Sequence, residues 1–320
     1  MANYSGFLRR LGMKIEDTRG TAETTADKWH EVLGGSEFNY GPELLPDLTF
    51  KGVKSEYTPK PGRKNGDFTL LMPLKAMTLG EYICMLLAAP NSSTQQEATT
   101  AYLHTWTPGN GLIPQSYTMF FDRSLAVLKY NLCQVAKIKL SSAPDSFVMT
   151  EITGMFKTEA SGSIGTPSYT TTNELGFQHV DFKIAGSSNT EVKSWSIELS
   201  NNLFRKRTMG LSQDAQDFVP LKNEISGEFT IYFANATERD KFVAGTTSSV
   251  ELVITGDTIE TTYEYTVEIL IDDIRYSAFP YDTEDDLLAA KVAFKGFYNL
   301  SNTRLYRVRV TNTLTSYPAS

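Results

Sequence analysis

A short motif recurs at half the chain's length. Gly66-Asp-Phe-Thr-Leu70 returns as Gly227-Glu-Phe-Thr-Ile231, 161 positions later in a chain of 320 residues. A second pair, Val53-Lys-Ser55 and Val192-Lys-Ser194, lies upstream of it in the same order. Each G-[DE]-F-T segment is followed by a short helical pattern, at 79–87 in the first half and 237–243 in the second. Thr237 is expected to cap the second helix, ahead of acidic residues in its first turn. Two strand-like runs then end each half, at 130–140 and 147–157 and again at 263–276 and 287–298. This shared order predicts a tandem duplication, so each half must be a unit of about 150 residues able to bury its own core.

Alternation decides what that unit is made of. In Ser194-Trp-Ser-Ile-Glu-Leu-Ser200, Trp195, Ile197 and Leu199 share one face and the polar residues share the other. Phe229, Ile231 and Phe233 repeat the pattern. A period of two with one apolar face specifies half-buried antiparallel strands. The expected fold is mainly β: two tandem domains, each a β-sandwich or barrel with one short flanking helix. The boundaries fall at 1–157 for the first half, 158–179 for a linker rich in Ser, Thr and Gly, and 180–304 for the second half. A long loop spans 203–224 within the second half, and 305–320 forms a C-terminal extension. Loops as long as 203–224 are uncommon unless functional. The extension alternates like a strand and has no evident partner in either half. It reads either as a strand that completes a neighbour's sheet or as an ordinary edge strand.

Chemistry is hard to find. Acidic residues number 37 against 30 basic ones, a net charge of −7, which argues against a protein that coats nucleic acid. The longest apolar stretch, 82–89, is far short of the roughly 20 residues that span a bilayer, and 1–10 lacks the apolar core of a signal peptide. Cys84 and Cys133 read as small core residues of a chain made in a reducing cytoplasm. His30, His104 and His179 are too scattered for a metal site. No P-loop, dinucleotide fingerprint or nucleophile elbow occurs. The acidic run Asp282, Glu284, Asp285 and Asp286 lacks the glycine and distal glutamate of a calcium loop and reads as a solvated turn or helix start. The basic triplet Arg205-Lys206-Arg207 reads as a solvated loop, an ion-pair donor between subunits or a phosphate contact. Neither enzymatic activity nor a metal or cofactor is expected.

The order of elements nevertheless resembles a family. It comprises Ser194-Trp-Ser-Ile-Glu-Leu-Ser-Asn-Asn-Leu203, a long loop with Met209-Gly-Leu211, and Ile225-Ser-Gly-Glu-Phe-Thr-Ile-Tyr-Phe233. A short helix with Phe242 and the strand Ser249-Val-Glu-Leu-Val-Ile254 complete it. This resembles the major tail tube proteins of bacteriophages with long, non-contractile tails. The first half matches through 66–71 and the following helix, without the long loop. The resemblance implies a virion protein, assembled in the host cytoplasm, whose rings stack into a hollow tube that delivers double-stranded DNA. A tape-measure protein and tail-tip or terminator proteins would be its partners. Two fused copies would close a pseudo-sixfold ring with three subunits, a hexamer being the alternative. A related non-polymerising ring, such as a terminator, a baseplate hub or a secretion-system tube unit, is the competing reading.

Geometry favours the larger lumen. Strands about 4.8 Å apart and tilted by about 40° give 24 strands a backbone diameter near 48 Å, and side chains leave ample room for a duplex. Twelve strands would leave roughly 14 Å, too narrow. A conduit should not grip its cargo, so neutral or acidic walls are expected. Glu56, Asp67, Glu198, Glu228 and Glu268 are the candidate lumen-facing residues. Phe204, Arg205, Lys206, Arg207, Met209, Leu211, Phe218 and Val219 are the candidates for contacts between rings or subunits. Arg205 to Arg207 are expected to meet the 282–286 acids of the next ring.

Overall fold

The structure, a computed structural model, describes residues 9–317 apart from 50, 53, 54, 211, 234 and 285. The first half runs β1 (Arg10–Ile15), β2 (Lys28–His30), β3 (Glu37–Asp47), β4 (Tyr57–Pro73), α1 (Ala76–Leu86), β5 (Ser92–Gln95), β6 (Tyr102–Trp106), β7 (Tyr117–Asp122), β8 (Val127–Ser142), β9 (Met149–Phe156) and β10 (Thr158–Ser161). The second half continues with β11 (Val180–Ile184), β12 (Ser187–Ser188), β13 (Val192–Ser200), β14 (Phe204–Lys206), β15 (Asp217–Val219), β16 (Glu224–Tyr232) and α2 (Thr237–Ala244). It ends with β17 (Ser248–Glu260), β18 (Tyr263–Ala278), β19 (Tyr281–Glu284), β20 (Leu287–Phe297) and β21 (Arg307–Asn312). The fold is mainly β, and all the strand pairs are antiparallel.

In the first half β3, β4, β9 and the C-terminal part of β8 lie side by side. Against them pack β2, β1, β7 and the N-terminal part of β8, with β10 on that strand's far side. The long strand β8 changes sheets at Leu132, whose φ of 51° marks the corner. In the second half β13, β16, β20 and β19 lie side by side, with the end of β18 continuing the line of β19 along β20. Against them lie β12, β11, β17, the first part of β18 and β21.

Two joins cross the halves. β8 pairs with β13, and β21 pairs with β6, which also carries β5. The first join makes one continuous run of eight strands, β3-β4-β9-β8-β13-β16-β20-β19. Among the described residues its ends are β3 and β19, and it closes no barrel.

The repeated glycine has a steric reason. Gly66 lies opposite Phe156, and Gly227 lies opposite Phe294. A Cβ on either glycine would collide with that facing ring and with a neighbouring strand's carbonyl. The phenylalanine of each motif faces the opposite way from its acidic neighbour, into the core, where Phe68 stacks near Phe38 and Phe229 contacts Phe182.

The two helices differ in burial. α1 is apolar on nearly every side, and ten of its eleven residues are buried. A helix of that composition needs cover all round. α1 packs against β8, β18 and β21. Asn312 donates to the Ala76 carbonyl at 3.0 Å and to the Tyr317 hydroxyl at 2.8 Å, and the Tyr317 ring lies on Gly80. α2 is short and has no buried residue.

Several expectations need correcting. The C-terminal extension is neither a donated strand nor an edge: β21 lies between β18 and β6 of its own chain. The first half does have an excursion where the long loop was thought missing. β3 and β4 continue beyond the sheet as a ribbon, paired as far as Asp47 and Tyr57. Of the second sequence match, Val192–Ser194 opens β13, Ser55 is not in a strand, and Val53 and Lys54 lie outside the described residues. Thr237 is the first helical residue rather than the cap, and its N–H donates to Asn235 Oδ1 at 2.9 Å. The expected linker begins with a strand, β10.

Candidate functional site

The eight-stranded run has one face in the core and one face turned away from it. Alternation sorts them: Phe68, Ile138, Ile152, Ile197, Phe229 and Val292 are buried, and their sequence neighbours point outward. The outward residues include Glu37, Asp67, Glu151, Glu198, Glu224 and Glu228, but also Lys137, Lys139, Lys291 and Lys295. Lys137 pairs with Glu198 at 3.0 Å, Lys291 with Glu228 at 3.1 Å and Lys295 with Glu224 at 3.4 Å. The face is therefore mixed and near neutral rather than uniformly acidic. The lysines escaped the sequence reading, although Lys137-x-Lys139 and Lys291-x-x-x-Lys295 carry the strand period that would have revealed them.

Of the five lumen candidates, Asp67, Glu198 and Glu228 share this face. Asp67 is held by Arg205. Glu268 lies apart, on β18 in the other sheet, where it pairs with Arg307 at 2.6 Å and Arg309 at 3.5 Å. Glu56 precedes β4 and is exposed.

The 203–224 segment is folded onto the first half. β14 and β15 make a small hairpin. Phe218 is buried with Leu203, Ala215 and Leu132, against Ala136 and Met155. Arg205 donates to Asn65 Oδ1 at 2.8 Å and to the Gly66 carbonyl at 2.9 Å, and Arg207 donates to the Lys64 carbonyl at 2.7 Å. Tyr40 donates to Asp214 at 2.6 Å, and Arg19 to the Phe218 carbonyl at 3.0 Å. Within the chain, then, Arg205 and Arg207 serve the first half, and of the 282–286 acids Glu284 pairs with Lys193 at 2.6 Å. Phe218 is core. Phe204, Lys206, Met209 and Val219 are exposed, and Leu211 lies outside the described residues.

The Asn-Asn step explains how the halves are locked. Asn201 is fully buried, and its Nδ2 donates to the carbonyls of Leu86 at 2.9 Å and Val135 at 3.0 Å, both in the first half. Its backbone N–H donates to the Ala136 carbonyl at 3.2 Å. Asn202 takes the left-handed turn, with φ of 48°, and donates to the Lys222 carbonyl at 2.9 Å. An asparagine suits both jobs: a short two-donor side chain and tolerance of positive φ.

A buried ionic cluster joins β2 to α1. Glu81 on α1 accepts from His30 Nε2 at 3.0 Å and pairs with Lys28. Burial alone would raise its carboxyl, but the His30 hydrogen bond and the nearby positive charge outweigh that and hold it below the ordinary glutamate range. Cys84 and Cys133 are buried free thiols, each pushed up by desolvation. Among the described residues no group of His, Cys, Asp and Glu is arranged to hold a metal, and no helix is long and apolar enough to cross a membrane. A cleft of about 600 Å³ at the junction of the halves is lined by Leu86, Leu112, Leu221 and Phe297. Glu224, the one carboxylate among its described lining residues, is held at about 2 by hydrogen bonding from Lys222 and Asn202, so it stays ionised and is no proton donor near neutrality.

What the arrangement offers is a broad, polar sheet face with open edges at both ends. A family model described as phage tail tube protein matches residues 6–296. A comparison with curated proteins finds no match.

Proposed function

This chain belongs to the phage tail tube protein family, and from that premise we propose that it is the subunit of a self-assembling tube through which double-stranded DNA leaves a long, non-contractile tail. The observation that carries the reading is the eight-stranded run whose end strands, β3 and β19, pair with no further strand among the described residues, Arg123 alone donating to the Phe38 carbonyl on β3's outer edge. An exposed strand edge is a template for another strand, and monomeric proteins normally blunt it.

The order of pairing supports two fused copies. β3, β4, β9 and β8 correspond to β13, β16, β20 and β19, each set paired in that order. Each chain then stands for two ring positions, and three chains make a ring of 24 strands. The near-neutral outward face forms the lumen. Its paired lysines and glutamates leave few free cations to grip phosphate, which a conduit requires. Asp67, Glu198 and Glu228 are the lumen residues of this reading. Phe204, Lys206 and Met209 are the exposed parts of 203–224 left to meet the next ring. The tape-measure and terminator partners follow from the role, as does assembly in the host cytoplasm.

Sedimentation with electron microscopy across a concentration series tests the proposal. Hollow, regularly striated tubes are expected, alone or on addition of tail-initiation proteins. Rings that never stack would support the terminator or hub alternative, and particles that stay single under both conditions would overturn the reading.

A further inference from the structure

The join between the halves is a template for the join between chains. Ile138 on β8 holds the same place along β9 as Tyr281 on β19 holds along β20, because Ile152 and Ala290 stand equally far from the Phe156 and Phe294 that face the repeated glycines. By the same count from Gly66 and Gly227, Gly41 on β3 corresponds to Glu198 on β13. Within the chain Glu198 lies opposite Lys139, whose counterpart is Asp282.

We propose that β3 of one copy pairs antiparallel with β19 of a second copy, with Gly41 opposite Asp282. The proposal rests on the tube reading and gives it a register. The flanking surfaces fit. Leu44 follows Gly41 by three residues, across a β-bulge, as Asn201, the residue that reaches the C-terminal end of α1, follows Glu198. Leu44 and Leu45 are exposed. The corresponding helix, α2, ends in exposed Phe242 and Val243, and Phe242 stacks with Phe279 at 5.9 Å beside exposed Tyr281. The leucines of one copy thus meet an uncovered apolar patch on the next, as the C-terminal half of this chain covers α1. Charge is compatible at the centre of the pairing, where Asp282 and Glu284 fall opposite Gly41 and Asn39, neither of them charged, while Glu37 and Asp286 meet at its end, just past β19. Pro42 offers no N–H, so the ladder is short and the apolar contact carries much of the join.

Disulfide trapping in the full chain tests this. Gly41 has open space around its missing Cβ and Asp282 is exposed, so Gly41→Cys and Asp282→Cys suit directly opposed positions. Oxidation under assembling conditions should give linked dimers and a closed trimer, while mixed single variants give dimers only. Gly41→Cys with Thr283→Cys, one residue out of register, should link at least tenfold less. A second readout needs no new bond: Val243→Glu should keep the monomer's thermal unfolding curve and lose assembly. Wild-type protein that assembles while neither cysteine pair links preferentially and Val243→Glu still assembles overturns this interface alone. Wild-type protein that never assembles overturns the tube reading and the interface with it. Linkage confined within single chains also rules the interface out.

Discussion

Glycine at position 66 is a matter of space rather than of turn geometry. Its Cβ would meet the Phe156 ring and carbonyl. Gly66→Ala is therefore expected to cost about 1–3 kcal/mol in urea unfolding, in the range of other overpacked sites. Gly41→Ala, one ladder position away and facing open space, should cost little, and equal losses at the two sites would refute the steric account. Glu81 gives a pH signature. Its folded value lies below the ordinary 4.5, so its contribution is complete above that value and fades as the pH falls through the folded one. Glu81→Gln should destabilise the protein by about 3 kcal/mol at pH 7, and the gap from wild type should narrow as the pH falls below the ordinary glutamate range. A gap independent of pH would show that packing, not charge, sets the effect. The motif glycines were visible in the sequence because they recur. The Lys28–Glu81–His30 cluster was not, since its members come from two elements that only the fold brings together.

At the scale of elements, periodicity carried the most information. The paired runs at 130–140 and 147–157 became β8 and β9, and 263–276 and 287–298 became β18 and β20, with ends displaced by a few residues. Pairing was less legible. Alternation marks β21 as a strand but says nothing of its neighbours, and those decide whether it is donated or internal. Because it lies between β18 and β6 and covers α1, deleting 305–320 should yield insoluble or poorly folded protein, read by soluble expression and circular dichroism. A soluble, cooperatively folding truncation would restore the edge-strand view. The 203–224 segment teaches the same lesson. Its apolar residues were recognisable, but Phe218 packs on the chain's own first half rather than on a neighbour. Phe218→Ala should cost about 3–5 kcal/mol as a core truncation, whereas Met209→Ala, fully exposed, should leave stability unchanged and act on stacking alone. Unchanged stability in both would remove 203–224 from the fold's core.

For the whole molecule, the mixed charge of the outward sheet face matters more than the net charge of the chain. Replacing Glu198 and Glu228 by Lys unpairs Lys137 and Lys291 and adds free cations to the wall. Tubes of that variant should retain double-stranded DNA at low salt and release it as salt rises, while wild-type tubes do not hold it. Equal retention would place the face away from the DNA. The measurement that bears most directly on the account is a helical reconstruction of the assembled tube by cryo-electron microscopy. Rings of three chains, 24 strands around the lumen, and Glu198 and Glu228 on the inner wall are expected. Rings of six chains, or these residues on the outer surface, would contradict the account.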